Sequence, residues 1–288
     1  MKKRIYVPNN SKQSIGGGFT FFRNIQKGLG ADNFVTTWQD ADVVLITGAT
    51  MTDRQEMLDA KKAGKKIVFR VDNIPRDSRN RGTAFSRMLD FAKLSDYIIF
   101  QSEWAKEYAG WWFTDNGINI TDKSVIVYNG VDTDYFYYRD EHKQEKKEGR
   151  YLYVQYNRDE NKRATEAFYR FHEEYRKNKD VELWLVGQFS PELISNNFDF
   201  FAGEDISYLG VITDPLQLGD IYRSSQYLLF PAFGDASPNT VMEAMACGCE
   251  VVGVNEVGGT RELLKVTDRS IEDMASDYQF IFEQVCQK

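Results

Sequence analysis

The sequence predicts an α/β protein with two domains, each built around a parallel β-sheet. Short apolar segments of strand length alternate with longer helical segments along the 288 residues, which is typical of helices that cover parallel sheets. That length suits two domains of ordinary size. Charge also divides unevenly, because residues 1–137 carry 19 Lys and Arg against 16 Asp and Glu, whereas residues 138–288 carry 17 against 27. The acidic second half argues against a protein that binds nucleic acid.

The composition excludes further classes. A hydrophobic content of 42% with 27% charged residues is that of a soluble globular protein, and no apolar run is long enough to span a membrane. The first residues lack the apolar run of a signal peptide. Three cysteines without metal-ligand spacing suit a reducing compartment, so we expect a cytoplasmic location. Two histidines argue against a histidine metal site or a Ser-His-Asp hydrolase.

The first domain is predicted over residues 1–137. Gly16, Gly17 and Gly18 precede its first helix, and such a run lets backbone amides approach a ligand closely. A flexible turn is the alternative. The run does not fit the G-x-G-x-x-G spacing, which counts against a dinucleotide-binding oxidoreductase. We expect strands at 4–7, 43–47, 66–71, 97–101 and 124–128, and helices at about 20–29, 53–63 and 83–93 and from 103.

Polar residues follow the third of these main strands. Ligands bind at the carboxyl edge of parallel sheets, so these side chains are candidates for contact with a substrate, although an arginine-rich stretch is also common in solvated loops. The candidates are Arg70, Asp72, Asn73 and Arg76. Further along, Asp132-Thr133-Asp134 has the D-x-D spacing of some metal sites, but its place beside an Asn-Gly turn favours a structural role.

Residues 138–150 are charged and nearly free of apolar side chains, as expected of a linker. A second domain is predicted over 151–270, followed by a last helix over 271–288 that we expect to cross back to the first domain. Arg158 and Lys162 stand near the start of a long amphipathic helix, with Arg163 as a replacement for either. Cations there oppose the helix dipole, which makes sense if a polyanion binds nearby.

The most informative stretch is a strand, a turn and a helix over residues 227–247. Pro238 suits the first turn of that helix and Ser237 suits its N-cap. A helix start of this kind, here Ser237, Pro238, Asn239 and Thr240, attracts an anion. Asp235 and Glu243 flank the helix start with seven residues between them, and the loop 255–259 closes the unit. The alternative is an ordinary strand–helix–strand unit with an N-cap and no ligand.

These motifs resemble the retaining GT-B glycosyltransferases of the large glycogen-synthase-like family, which shares an E-x7-E signature. The resemblance is carried by Asp235 and Glu243 with the Gly258-Gly259-Thr260-Arg261-Glu262 string, and by the residues 124–136. It implies two Rossmann-like domains whose parallel sheets face a central cleft. Asp235 departs from the family's Glu.

The resemblance also implies roles. Asp235 would lie near the donor sugar, Glu243 would hold the ribose hydroxyls of the nucleotide, and Arg158 and Lys162 would clamp the donor diphosphate. The glycine run would face the cleft, where it would touch donor phosphate or acceptor, and Arg70, Asn73 and Arg76 would face the acceptor.

We therefore expect a transferase that moves a sugar from a nucleotide-diphosphate sugar to an acceptor hydroxyl, with retention and without a metal or other cofactor. The acceptor is a glycan, a lipid-linked molecule or a small molecule. Asp72 as the base of an inverting enzyme stays open. So do an epimerase or hydrolase on the same scaffold, which converts donor without acceptor, and a non-catalytic protein that binds sugar nucleotides.

Overall fold

A computed structural model describes residues 2–8, 17–72, 82–156, 162–197, 205–266 and 268–287, with side chains of the third helix from residue 85 onward. Gly16, Asn73, Arg76 and Arg158 lie outside the described residues. The chain forms two compact units. The first contains Met1–Gly130 together with Arg269–Lys288, and the second contains Val131–Asp268.

The first unit is built on a six-stranded sheet in the order β2-β1-β3-β4-β5-β6, and every pair of neighbouring strands is parallel. Its apolar runs read as continuous rather than alternating, because a parallel sheet is covered by helices on both faces. The strands are β1 (Ile5–Tyr6), β2 (Phe34–Val35), β3 (Val43–Ile46), β4 (Lys66–Arg70), β5 (Tyr97–Phe100) and β6 (Ser124–Ile126).

Five α-helices lie in the described part of the first unit. They are α1 (Gly17–Leu29), α2 (Arg54–Lys62), α3 (Gly82–Leu94), α4 (Glu103–Asp115) and, from the end of the chain, α10 (Ile271–Gln287). Helix α10 packs against α1 and contributes Tyr278 and Phe282 to the same buried cluster as Phe21. The two helices approach closely at Gly28, where a Cβ would lie 2.6 Å from that of Ala275. The last helix is thus part of the core of the first unit.

The second unit has a five-stranded parallel sheet in the order β11-β10-β7-β8-β9. Its strands are β7 (Lys147–Gln155), β8 (Glu182–Gly187), β9 (Ile206–Gly210), β10 (Ser225–Leu229) and β11 (Glu250–Val252). Its helices are α5 (Ala164–Lys177), α6 (Pro191–Asn196), α7 (Pro215–Ser224), α8 (Asn239–Ala246) and α9 (Thr260–Leu263). The predicted α/β class with two parallel sheets is confirmed.

The segment 138–150 is structured, whereas its composition suggested a linker. A 3₁₀ turn covers Asp140–Gln144 and strand β7 begins at Lys147. Aromatic contacts hold this segment, because buried His142 packs between Tyr137 and Tyr138. Just before it, buried Arg223 of α7 donates to the carbonyl of Tyr135 at 2.9 Å. These contacts place residues from 131 onward in the second unit, so the structure divides the chain earlier than the composition did.

Among the described helices, none combines the length and the apolar character that crossing a membrane would require.

Candidate functional site

The strand order of the second sheet reverses between β7 and β10, which are neighbours although far apart in sequence. From β7 the chain moves outward to β8 and β9, and then returns to the other side of β7 as β10 and β11. The loops that leave two such strands diverge and open a crevice at the carboxyl edge of the sheet. Lys162 follows β7 and Asp235 follows β10. Because these strands are neighbours, both residues lie at the same part of the carboxyl edge.

Lys162 and Asp235 are in direct contact at this edge. The Lys162 Nζ lies 2.6 Å from Oδ2 of Asp235, with side chains 24% and 21% exposed. The Phe230 ring lies 5.5 Å from the same ammonium group. Behind the pair, the buried hydroxyl of Tyr153 donates to the backbone carbonyl of Lys162 at 2.9 Å and fixes the loop end. The structure thus brings together a cation and a carboxylate that the sequence singled out separately.

The backbone of Asp235 is held by the predicted closing loop. The amide of Gly259 donates to the carbonyl of Asp235 at 2.8 Å, and the amide of Gly234 donates to the carbonyl of Val257 at 2.8 Å. Between them, Gly258 has a φ of +131° and a Cβ there would lie 2.9 Å from the Asp235 carbonyl oxygen. Only glycine allows this close approach, so the glycine pair serves the position of Asp235.

Helix α8 begins at Asn239, and Pro238 occupies its N-cap position without a side-chain hydrogen bond. The expectation that Ser237 is the cap is therefore wrong by one residue. A proline at the N-cap has no side-chain acceptor to offer the first turn, and the amide groups of that turn lie at the positive end of the helix dipole. Ser237 is buried, and Asn239 and Thr240 are half-buried beside the Asp235 loop. The arrangement suits an anion at the helix start.

Glu243 lies one turn further along α8, where it is half-buried. Its Oε2 accepts a hydrogen bond of 3.4 Å from the hydroxyl of Tyr222, a fully buried residue of α7. Tyr156, directly after β7, donates its hydroxyl to the carbonyl of Ile212 at 2.8 Å. Burial, and then the charge of Glu243, raise the pKa of Tyr156. Glu243 is therefore set in a partly dehydrated environment between two tyrosines.

Sequence reasoning missed Tyr156, Tyr222 and Phe230. Tyr156 and Phe230 had a usable signal, because each is the first residue past the end of a strand at the reversal point. Tyr222 had none, because its contact with Glu243 joins two helices that are separated by β10 and the whole Asp235 turn.

Arg163, the alternative cation, adopts the left-handed region with φ 53° and ψ 50°. Such a conformation is strained for a residue other than glycine. Its guanidinium lies 5.0 Å from the ring of Phe233 and donates to Glu166 at 2.9 Å. Lys162, rather than Arg163, contacts Asp235.

In the first unit, Arg70 is buried, with only 2% of its surface exposed. Its guanidinium stacks 3.8 Å from the Phe21 ring and donates to the side chains of Gln101 and Asn129, the latter at 3.1 Å. Burial lowers its pKa, while Tyr278 and Asp72 act in the opposite direction. The expected contact with an acceptor does not fit this burial. Arg70 instead joins the carboxyl ends of β4, β5 and β6.

Other predicted residues of the first unit lie nearer the surface. Asp72 follows β4 and is half-buried, and Gly17 and Gly18 form the first turn of α1 with exposed and half-buried positions. The D-x-D string forms a turn, since Oδ1 of buried Asp132 accepts from the amide of Asp134 at 3.2 Å. Within the described part of the chain, no group of three or more His, Cys, Asp or Glu side chains is placed to hold a metal ion.

Comparison with known proteins agrees with this geometry. Residues 149–279 match the family model described as glycosyl transferases group 1. None of the curated proteins matches the chain significantly.

Solved structures resemble the whole chain. HepE from Anabaena, determined in complex with UDP-glucose, is similar with a TM-score of 0.70 at 13% identity over 99% of this chain and 98% of that chain. Sucrose-phosphate synthase from Thermosynechococcus elongatus gives a TM-score of 0.69 at 12% identity over 98% and 94%. WaaG, a glycosyltransferase involved in lipopolysaccharide biosynthesis, gives 0.60 at 13% identity over 97% and 90%. The second half of this chain thus carries the sequence pattern of glycosyl transferases group 1, and the chain has the α/β fold with two parallel sheets seen in GT-B glycosyltransferases.

Proposed function

We propose that this protein transfers a sugar from a nucleotide-diphosphate sugar to an acceptor hydroxyl, with retention of the anomeric configuration. The observation that carries the proposal is the 2.6 Å contact between Lys162 and Asp235 at the reversal point of the second sheet, next to the start of α8. A cation, a carboxylate and a helix start converge there, which are the groups that a diphosphate joined to a sugar requires.

The chemistry needs stabilisation of a leaving diphosphate. In the proposed step, the acceptor oxygen bonds to the anomeric carbon while the bond from that carbon to the phosphate oxygen breaks. The acceptor proton passes to an oxygen of the leaving phosphate on the same face, so the configuration is retained. Charge that develops on the phosphate is stabilised by Lys162, by Arg158 and by the start of α8. We propose that these groups serve in place of a metal ion.

Two carboxylates divide the rest of the donor. Asp235, held by the Gly258 loop, is proposed to lie beside the sugar. Glu243, further along α8, is proposed to accept hydrogen bonds from the ribose hydroxyls. Support for this division comes from their placement on either side of the helix start and from the resemblance of the motif.

A ligand screen tests the binding half of the proposal. Thermal shift is measured with UDP, GDP, ADP and CDP and with their glucose derivatives, since a ligand that binds the folded state raises its apparent stability. We expect the nucleotides of one base to raise the melting temperature of the wild-type chain. Lys162→Ala should abolish that rise, whereas Lys177→Ala, which removes an exposed lysine of α5 paired with Glu174, should preserve it. No shift with any nucleotide would overturn the proposal.

Product analysis tests the chemical half. Donor is incubated with and without a panel of glycan, lipid-linked and small-molecule acceptors, in the presence of EDTA, and the anomeric configuration of the product is determined by NMR. We expect acceptor-dependent transfer with retention. Inversion would favour Asp72 as a base, conversion of donor without acceptor would indicate an epimerase or hydrolase, and binding without turnover would indicate a non-catalytic binder.

A further inference from the structure

Tyr222 connects the interior of the second unit to the candidate site. Its ring is fully buried on α7, 6.0 Å from that of Phe136, and its backbone carbonyl accepts from Sγ of Cys249 at 3.0 Å. From this fixed position its hydroxyl donates to Oε2 of Glu243 at 3.4 Å. The contact thus joins the fully buried Tyr222 to Glu243 at the edge of the site.

We propose that Tyr222 is a positioning residue, whose buried hydroxyl sets the orientation in which Glu243 accepts the ribose hydroxyls of the donor. This inference rests on the proposed function. It goes beyond that function because it assigns the ribose selectivity of the site to a side chain that does not itself reach the ligand.

The physical reason is the direction of the hydrogen bond. A buried tyrosine hydroxyl is paired with an acceptor, and here the acceptor is a carboxylate oxygen at 3.4 Å, which is a long hydrogen bond. When one oxygen of a carboxylate is held, the direction of its second oxygen is also set, because the group is planar. Glu243 is half-buried and approached from one side by the helix backbone. Without Tyr222 its side chain would sample further rotamers and would lose part of its alignment with two vicinal hydroxyls.

The hydroxyl also keeps its proton. Burial, and then the charge of Glu243, raise the pKa of Tyr222 well above its usual value. Tyr222 therefore keeps its proton and can donate it to Oε2 of Glu243. The other oxygen of that carboxylate is left to accept hydrogen bonds from a ligand.

The test compares ribose with dideoxyribose. Binding of UDP and of 2′,3′-dideoxy-UDP, or of the corresponding GDP pair if guanine is the preferred base, is measured by calorimetry in wild type, Tyr222→Phe, Glu243→Gln and the double variant. Tyr151→Phe is the matched control. It removes the hydroxyl of a buried tyrosine of β7 whose ring stacks on Tyr227 at 4.7 Å, away from Glu243.

We expect Tyr222→Phe to weaken UDP binding about five- to tenfold, which is within the range of a single ordinary hydrogen bond, and to leave dideoxy-UDP binding unchanged. The effect should be smaller in the Glu243→Gln background, because the glutamine oxygen still accepts the bond but carries no charge. In turnover, KM for the donor should rise while kcat changes less, since the lost contact is made in the ground state. A purely structural role would lower the melting temperature and weaken both ligands equally.

The outcomes separate the two proposals. Equal loss for both ligands, or no loss for either, overturns the role of Tyr222 and leaves the proposed function standing. Wild type that binds no nucleoside diphosphate overturns the proposed function and this inference together. If Tyr222→Phe does not fold, Glu243→Ala removes the acceptor of the same bond, and a ribose preference that survives in that variant overturns the inference.

Discussion

The ammonium of Lys162 and the carboxylate of Asp235 lie 2.6 Å apart, although 73 positions separate them in the chain. Lys162 follows strand β7 and Asp235 follows strand β10, and these two strands are neighbours in the sheet. A diphosphate that approaches Lys162 must share this cation with Asp235 or displace it. In the proposed function, the two members of the pair are therefore predicted to affect the binding of an anionic ligand in opposite directions.

Asp235→Asn is expected to bind nucleoside diphosphate more tightly than wild type. The substitution removes the internal competitor for Lys162 and a negative charge beside the phosphates. Affinity should rise about fivefold, because a partly exposed ion pair contributes ~1 kcal/mol. Calorimetry with UDP measures the affinity. Transfer should fall ~10²-fold or more, since an electrostatic group near the sugar is lost. Weaker UDP binding in Asp235→Asn would contradict this reading of the pair.

Lys162→Ala is expected to lose both binding and turnover. Loss of one preorganised group that stabilises developing charge lowers kcat by ~10²–10³, and initial rates with the preferred donor measure it. Asp235 loses its ion pair with Lys162 but remains partly solvated, so the melting temperature should change little. Lys177→Ala serves as the control of equal charge change. Turnover at the wild-type rate in Lys162→Ala would exclude the lysine from the site.

Gly258→Ala is expected to disturb the Asp235 loop. The added methyl meets the Asp235 carbonyl oxygen at 2.9 Å and the residue has a φ of +131°, so conformational strain and overpacking add to ~2–4 kcal/mol. Gly64→Ala is the control. It also has a positive φ, +78°, but no atom lies within 4 Å of its Cβ, so only the strain of ~1–2 kcal/mol applies. Urea unfolding compares the two, and equal losses would show that the close approach carries no weight.

Glu182→Gln is expected to make the free energy of unfolding depend less on pH in the acidic range. Burial raises the pKa of Glu182, but hydrogen bonds and charge from Lys147 and Arg150 outweigh burial and lower it overall. A lowered pKa in the folded state contributes stability above the unfolded pKa of about 4.3, and that contribution is lost as pH falls through the lower folded value. The variant should therefore be less stable than wild type by about 2 kcal/mol at pH 7, and the difference should be smaller at pH 4, which lies below the unfolded pKa of about 4.3. Urea unfolding at both pH values measures it. A gap independent of pH would refute the linkage.

Much of the fold could be predicted because it is written in local patterns. Apolar runs such as 43–46 and 66–70 have strand length and no alternation, which indicates strands covered on both sides. The meeting of Lys162 and Asp235 follows once β7 and β10 are placed side by side. The prediction of Ser237 as the N-cap is wrong by one residue, because cap propensity favours serine whereas the helix begins only at Asn239.

The features that could not be predicted depend on the burial of single side chains and on contacts between residues that are distant in sequence. Arg70 looked like a ligand-facing cation, since arginines are mostly exposed and it ends a strand. Its burial depends on Phe21, Gln101 and Asn129, which converge only in three dimensions. The charged segment 138–150 misled for a related reason, because the aromatic contacts of His142 outweigh its polar composition.

The docking of α10 on α1 also bears on how the chain reaches its native state. Residues 1–130 alone leave one face of their core bare, since Met274, Tyr278 and Phe282 fill it from beyond the second unit. During synthesis, the continuous second unit therefore leaves the ribosome with its sheet complete. The first unit can complete its core only after α10, which ends at residue 287, has been synthesised. Chaperone dependence and aggregation during synthesis should trace to that interval, and a circular permutant that starts at α10 and runs on into β1 should shorten it.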